Sequence, residues 1–156
     1  MILKTGTYVY EAKSNKLNPV VKGDLRSLAG TQAFVTNAPV TLVFVADLAK
    51  MGAMSNEEKK RFANIDVGCI SQNAYLFCAS EGLVTGARAS VDQKALGKKL
   101  NLRPDQMIVL AQSVGCPKPL GERDGKVIFL YSRLFATEEE QESFSAICTE
   151  RVNRQS

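Results

Sequence analysis

The sequence predicts an α+β fold, a sheet flanked by helices, and three observations carry that expectation. Pro39–Ala46 and Met107–Ala111 are short, almost continuously apolar runs, the pattern of strands covered on both faces. Between them, Ser55-Asn56-Glu57-Glu58 has the form of a helix-opening capping box. Taken alone, the run at Pro39–Ala46 fits the centre of an α/β sheet as well as that of an α+β sheet. The 156 residues suit one domain with its own core, and 45% apolar with 23% charged residues is ordinary for a globular chain.

The elements follow in order. Thr7–Tyr10 is β-rich, Lys13–Lys16 is polar, and Leu17–Val21 resumes the apolar run with Pro19 inside it, so the segment reads as an edge hairpin. Asp24 can cap a short helix through Ala29, ended by Gly30. After the capping box, a helical pattern runs to Glu81 and stops at Gly82. Its part from Ile65 to Ala79 is apolar nearly all round, as expected of a helix buried by its own fold or by a twin in an oligomer. Leu83–Arg88 is a short strand. Asp92 caps a helix through Leu100, and Asn101 ends it. The strand at Met107–Ala111 is closed by Gly115-Cys116-Pro117. Beyond Pro119, Lys126–Tyr131 looks like a strand, and Thr137-Glu138-Glu139-Glu140 opens an acidic helix through about Val152.

Composition narrows the chemistry. The chain has no histidine, which excludes any Ser-His, Cys-His or His-metal constellation of its own. Neither a catalytic side chain nor a metal site is expected; a cofactor that carries the reactivity itself is. The formal charge of +4 is spread over single and paired Lys and Arg residues, not a basic tract, which speaks against nucleic acid as a partner. No run reaches the roughly 18–20 apolar residues that span a bilayer, and Met1–Gly6 has no long apolar signal-peptide core. Cys69, Cys78, Cys116 and Cys148 lie far apart without a C-x-x-C. On one helix Cys69 and Cys78 would point to opposite faces, so buried thiols in a reducing cytoplasm are expected.

Three segments, in this order, resemble the nitroreductase family and specifically its short branch. Asn64-Ile65-Asp66-Val67-Gly68, with Ser71-Gln72-Asn73-Ala74-Tyr75-Leu76 and Ala79-Ser80-Glu81-Gly82-Leu83, is similar to the family's central helix. Thr85-Gly86-Ala87-Arg88-Ala89-Ser90-Val91-Asp92 is similar to the loop that lies along the flavin ring. Leu100-Asn101-Leu102, Pro104-Asp105-Gln106 and Leu110–Lys118 are similar to the last core strand with its Gly-Tyr-Pro-Lys ending. The resemblance implies an antiparallel-dominated central sheet, a homodimer with FMN at the subunit interface, and hydride passing from NAD(P)H through the flavin to a small-molecule acceptor. It places Ala89 and Ser90 where backbone faces the ring, and makes Arg88 and Lys118 candidates for charge contacts with the cofactor, the phosphate among them. Two plainer readings stand beside these: Arg88 as a solvated strand end, and Gln72 and Asn73 as helix-packing or dimer-seam residues.

The sequence also departs from the family's pattern. No segment reproduces the Arg-Arg-Ser-x-Arg motif that grips the phosphate or the Pro-Ser-x-x-Asn loop under the ring, and Arg26 with Ser27 does not substitute. The expectation is therefore a core incomplete at the N-terminus. Cys116 stands where an aromatic is usual. Residues 1–118 read as a partial core and 119–156 as a C-terminal extension, a strand plus an acidic helix that could cross to a partner subunit. The alternative function is a flavin-free relative that keeps the dimer scaffold as a structural or interaction protein.

Overall fold

The computed structural model describes residues 1–117. The expectations for Lys118, for the division at that residue, and for the strand and acidic helix beyond it lie outside the described residues.

The chain opens with the expected hairpin. Strands β1 (Gly6–Glu11) and β2 (Lys16–Lys22) pair antiparallel, with a bulge between Thr7 and Tyr8. Asn15 turns the corner at φ 50°, a left-handed conformation that its short polar side chain tolerates, and accepts a 3.0 Å hydrogen bond from Tyr10 Oη. Pro19 opposite Tyr8 has no N–H for a ladder, which suits an edge strand. Ile2 ties the hairpin to the main sheet by exchanging both backbone hydrogen bonds with Thr41, at 2.7 and 2.9 Å.

The helix expected from Asp24 to Ala29 is instead a 3-10 turn at Arg26–Ala29, followed by a second at Ala33–Thr36. The cause is local. Asp24 Oδ1 accepts the Arg26 backbone N–H at 3.0 Å, and the same carboxylate takes Arg26 Nε at 2.9 Å and Nη2 at 2.6 Å. A side chain that bonds its own backbone two residues on makes a turn that competes with helix propagation. Arg26 Nη1 then donates to the Ala38 carbonyl at 2.8 Å, drawing the two turns together.

Among the described residues the main sheet has three strands: β3 (Val40–Asp47), β4 (Val84–Arg88) and β5 (Gln106–Gly115), in the order β3-β5-β4 and antiparallel throughout. The antiparallel expectation holds, but the centre belongs to β5. Strand β3 lies outside it, and among the described residues only Ile2 bridges its free side, where its apolar run is part-covered and Val45 is exposed.

Helix α1 (Asn56–Ser80) begins with the expected capping box: Ser55 Oγ accepts the Glu58 N–H at 3.3 Å, and the Glu58 carboxylate accepts the Ser55 N–H at 3.0 Å. Gly82 ends the segment at φ 66°. Helix α2 (Gln93–Lys99) is capped by Asp92, whose Oδ1 accepts the Ala95 N–H at 2.9 Å, and Asn101 follows at φ 52°. On one face of the sheet α1 packs against β4 and β5. On the other, Ile2, Ala29, Val35, Leu96 and Ile108 form the core, ringed by Leu25, Leu28, Val43, Val91, Leu100 and Leu102.

Helix α1 has two unlike faces. Ala63, Val67, Ser71 and Cys78 are buried against the sheet. Phe62, Ile65, Ile70, Leu76 and Phe77 are exposed, Leu76 and Phe77 by 60% and 61%. At ~100° per residue these five fall within an arc of roughly 140° that adjoins the buried face.

Candidate functional site

Strand β4 ends in the segment that carries three of the four expected site residues. Arg88 closes the strand, and Ala89 and Ser90 follow in an exposed loop before Asp92 caps α2. Two links hold this loop. Gln32, just before the second 3-10 turn, donates from Nε2 to Ser90 Oγ at 3.1 Å. On the β4 side, the Ala87 N–H donates to Tyr75 Oη of α1 at 2.8 Å, which satisfies a backbone group on the sheet's outer edge.

Arg88 is not a solvated strand end, because it is only 8% exposed. Its side chain runs under the 3-10 turns: Nε donates to the Ala29 carbonyl at 2.9 Å and Nη1 to Ser113 Oγ at 2.8 Å. Ser113 belongs to a buried polar chain in which its Oγ lies 3.4 Å from Thr41 Oγ1 and its carbonyl accepts Thr85 Oγ1 at 2.7 Å. The Phe34 ring lies over the guanidinium, 5.9 Å from Cζ to the ring centroid. Among the described residues no carboxylate pairs with Arg88, and Nη2 is buried without a hydrogen-bond partner. Burial pushes the Arg88 pKa down from its ordinary value; nothing offsets it.

An uncompensated guanidinium at the end of β4, next in the chain to an exposed loop of two small residues, is compatible with a planar group carrying negative charge. Ala89 and Ser90 let such a group approach the backbone, and the orphaned Nη2 marks a positive charge without a counter-ion. Arg26 does not take part, being closed on Asp24 and Ala38. Lys118 lies outside the described residues. Gln32 and Phe34 drew no attention in the sequence, and Tyr75 and Ser113 lie inside the segments that carry the resemblance but were given no role there. The one available signal was Gly30: it marks a close approach, not a helix stop, since a Cβ there would stand 2.5 Å from Arg88 Nε.

Other expected residues fall as follows. Gln72 and Asn73 are exposed, away from the sheet. Cys69 is an exposed free thiol and Cys78 a buried one, on opposite sides of α1 as their spacing requires. Burial pushes the Cys78 thiol pKa up, which makes it a poor nucleophile. Cys116 is disulfide-bonded, which corrects the expectation that all four cysteines stay thiols. Among the described residues no helix is long and apolar enough to cross a membrane.

Comparison with known proteins agrees with this geometry. The family model described as the nitroreductase family matches residues 6–116. A provisionally assigned nitroreductase from Ralstonia eutropha JMP134 is 34% identical and superposes with a TM-score of 0.70, over 75% of this chain and 56% of that one. NfrA1 of B. megaterium is 25% identical with a TM-score of 0.54, over 83% of this chain and 63% of that one. A provisionally assigned nitroreductase from Anabaena variabilis ATCC 29413 is 19% identical with a TM-score of 0.65, over 74% of this chain and 25% of that one, a likeness of fold alone. No curated protein matches the sequence. The chain thus spans from a quarter to under two thirds of the length of these three structures. With its family match covering most of its length, its antiparallel β3-β5-β4 sheet and its α1 helix, this chain belongs to the nitroreductase family.

Proposed function

We propose that the chain is part of an FMN-dependent oxidoreductase that passes hydride from NAD(P)H to a small-molecule electron acceptor and works as a homodimer in the cytoplasm. The observation that carries this reading is the exposed Ala89–Ser90 loop that directly follows the buried Arg88, whose charge has no carboxylate partner among the described residues and whose Nη2 has no hydrogen-bond partner. Members of the family generally use a flavin, and these residues fit one. When bound, the flavin supplies the hydride-transfer chemistry, which asks for no histidine, nucleophile or metal from the protein.

The chain's own residues would then hold and orient. Ala89 and Ser90 present backbone to the ring without bulky side chains, and Gln32 fixes Ser90 from across the loop. Arg88 contributes charge at the end of β4. Lys118, by its place after β5, is proposed as a second charge contact. The exposed apolar residues of α1, Phe62, Ile65, Ile70, Leu76 and Phe77, support the homodimer, because they are what a twin helix would cover. The free thiols of Cys69 and Cys78 support a cytoplasmic setting, while the disulfide at Cys116 speaks for an oxidising one.

The test is a visible absorption spectrum of the purified full chain after incubation with excess FMN and desalting. A retained flavin band supports the reading. A folded, colourless dimer would instead favour the flavin-free scaffold, for which the closing of Arg26 on Asp24 and the Ala38 carbonyl is the supporting observation.

A further inference from the structure

Helix α2 carries residues that its own stability does not ask for. Gly97 sits inside a seven-residue helix, although glycine is the poorest helix former after proline. Packing does not require it, since a Cβ there would meet only Leu102 Cδ1, at 3.8 Å, an ordinary contact. Lys98 and Lys99 in the last turn complement the helix dipole, but Lys94 lies in the first turn, where the dipole opposes a positive charge. Lys94 and Lys98 also stand one turn apart on the same side, an arrangement of like charges that weakens a helix. Among the described residues none of these lysines makes an ion pair.

The unexplained residues meet in one place. Lys94, Gly97 and Lys98 line a cleft of about 300 Å³ between α2 and the start of β5, together with the apolar side chains of Leu102, Met107 and Ile108. That volume is at the small end of ligand sites, which run from about 300 to 1,000 Å³. Arg103 lines the cleft too, but its guanidinium is closed on Asp47 and Asp105. The charge left to act there is that of the two lysines, and the missing side chain at Gly97 keeps the space open.

We propose that this cleft binds a small ligand carrying a phosphate on an apolar or aromatic body. Two ammonium groups one helical turn apart suit a phosphate, which brings nearly two negative charges and three acceptor oxygens at neutral pH. Leu102, Met107 and Ile108 suit the body. The proposal stands apart from the flavin reading. Two sources carry such a group: the extra ribose phosphate that separates NADPH from NADH, and an unrelated phosphomonoester.

The experiment titrates the full chain with phenyl phosphate while its amide resonances are followed by NMR. Saturable shifts are expected at Lys94, Gly97, Lys98 and Met107, with inorganic phosphate and phenol each binding more weakly, because each lacks one half of the match. Lys94→Gln with Lys98→Gln should weaken binding about tenfold, the order expected of two exposed charge contacts. Lys99→Gln is the control, because Lys99 lines a different cleft with Leu28 and Ala95, and it should bind as the wild type does. Gly97→Leu keeps both charges and a good helix former, and should abolish binding by filling the space. Absence of saturable shifts at the cleft would overturn the proposal. So would a loss in Lys99→Gln equal to that in the double lysine variant, or wild-type affinity in a folded Gly97→Leu protein. Should Gly97→Leu not fold, the lysine variants decide, since all three side chains are exposed. Competition then separates the sources: displacement of phenyl phosphate by NADPH and not by NADH supports the site as one for the extra ribose phosphate. Lysine-dependent binding that neither nucleotide displaces supports it as one for a separate phosphomonoester.

Discussion

Gly30 and Arg88 occupy space that only a residue without a side chain can share. A Cβ at position 30 would stand 2.5 Å from Arg88 Nε and 2.8 Å from Val35 Cγ2. The backbone at Gly30 is extended, at φ 171°, so the demand is for room and not for a left-handed conformation. Gly30 is thus the slot through which the guanidinium reaches the Ala29 carbonyl. Gly30→Ala should destabilise the protein by about 1–3 kcal/mol through overpacking. Chemical denaturation checks it, and an unchanged midpoint would mean that Arg88 has another way in.

Gln112 is wholly buried on β5, with its Oε1 accepting Ser71 Oγ at 3.0 Å. Ser71→Ala removes that donor and leaves the amide oxygen unsatisfied, at a cost of about 1–3 kcal/mol. Gln112→Leu placed in the Ser71→Ala background should recover part of the loss, since neither partner is then polar. A double-mutant cycle with no coupling between the two positions would contradict the pairing.

Much of this architecture was legible in the sequence because its cues are local. Ser55 and Glu58 announced the start of α1, Gly82 its end, and Asp92 the start of α2, each through bonds made within a few residues. Both strands at Val40–Asp47 and Gln106–Gly115 were visible as apolar runs, but their rank in the sheet was not, since a run of apolar residues does not say how many neighbours it has. Asp24 misled because one side chain serves as a helix cap or closes a tight turn, and Arg26 decided for the turn. Arg88 was found by resemblance, yet its burial was illegible. The groups that receive it, the Ala29 carbonyl and Ser113 Oγ, are 59 and 25 residues away in the chain.

The hydrogen-bonded pair at the first 3-10 turn sets a response to acid. Arg26 holds the Asp24 carboxyl below its ordinary value, chiefly through their side-chain hydrogen bond. The pair's stabilisation is therefore whole above the ordinary aspartate range and is lost as pH falls through the lowered folded value. Asp24 is partly exposed, so the effect should stay under about 1 kcal/mol. Asp24→Asn should flatten the acid limb of a stability–pH profile, and a profile identical to wild type would contradict the assignment.

The outer face of α1 makes a separable prediction about assembly. Ile65→Glu together with Phe77→Glu places charge on side chains that are 55% and 61% exposed in the single chain. Light scattering should give a dimer for the wild type and a monomer for the double variant, with helical circular dichroism retained because the inner face of Ala63, Val67, Ser71 and Cys78 is untouched. A wild-type monomer, or a double variant that still dimerises, would place the interface elsewhere.

The central claim, a flavin oxidoreductase built around the Ala89–Ser90 loop, is tested most directly by anaerobic addition of NADH or NADPH to the FMN-loaded full chain while the visible flavin band is followed. The account predicts that the band bleaches with one of the two nucleotides and returns when an electron acceptor is admitted. Loaded protein whose flavin band is untouched by either nucleotide would contradict it.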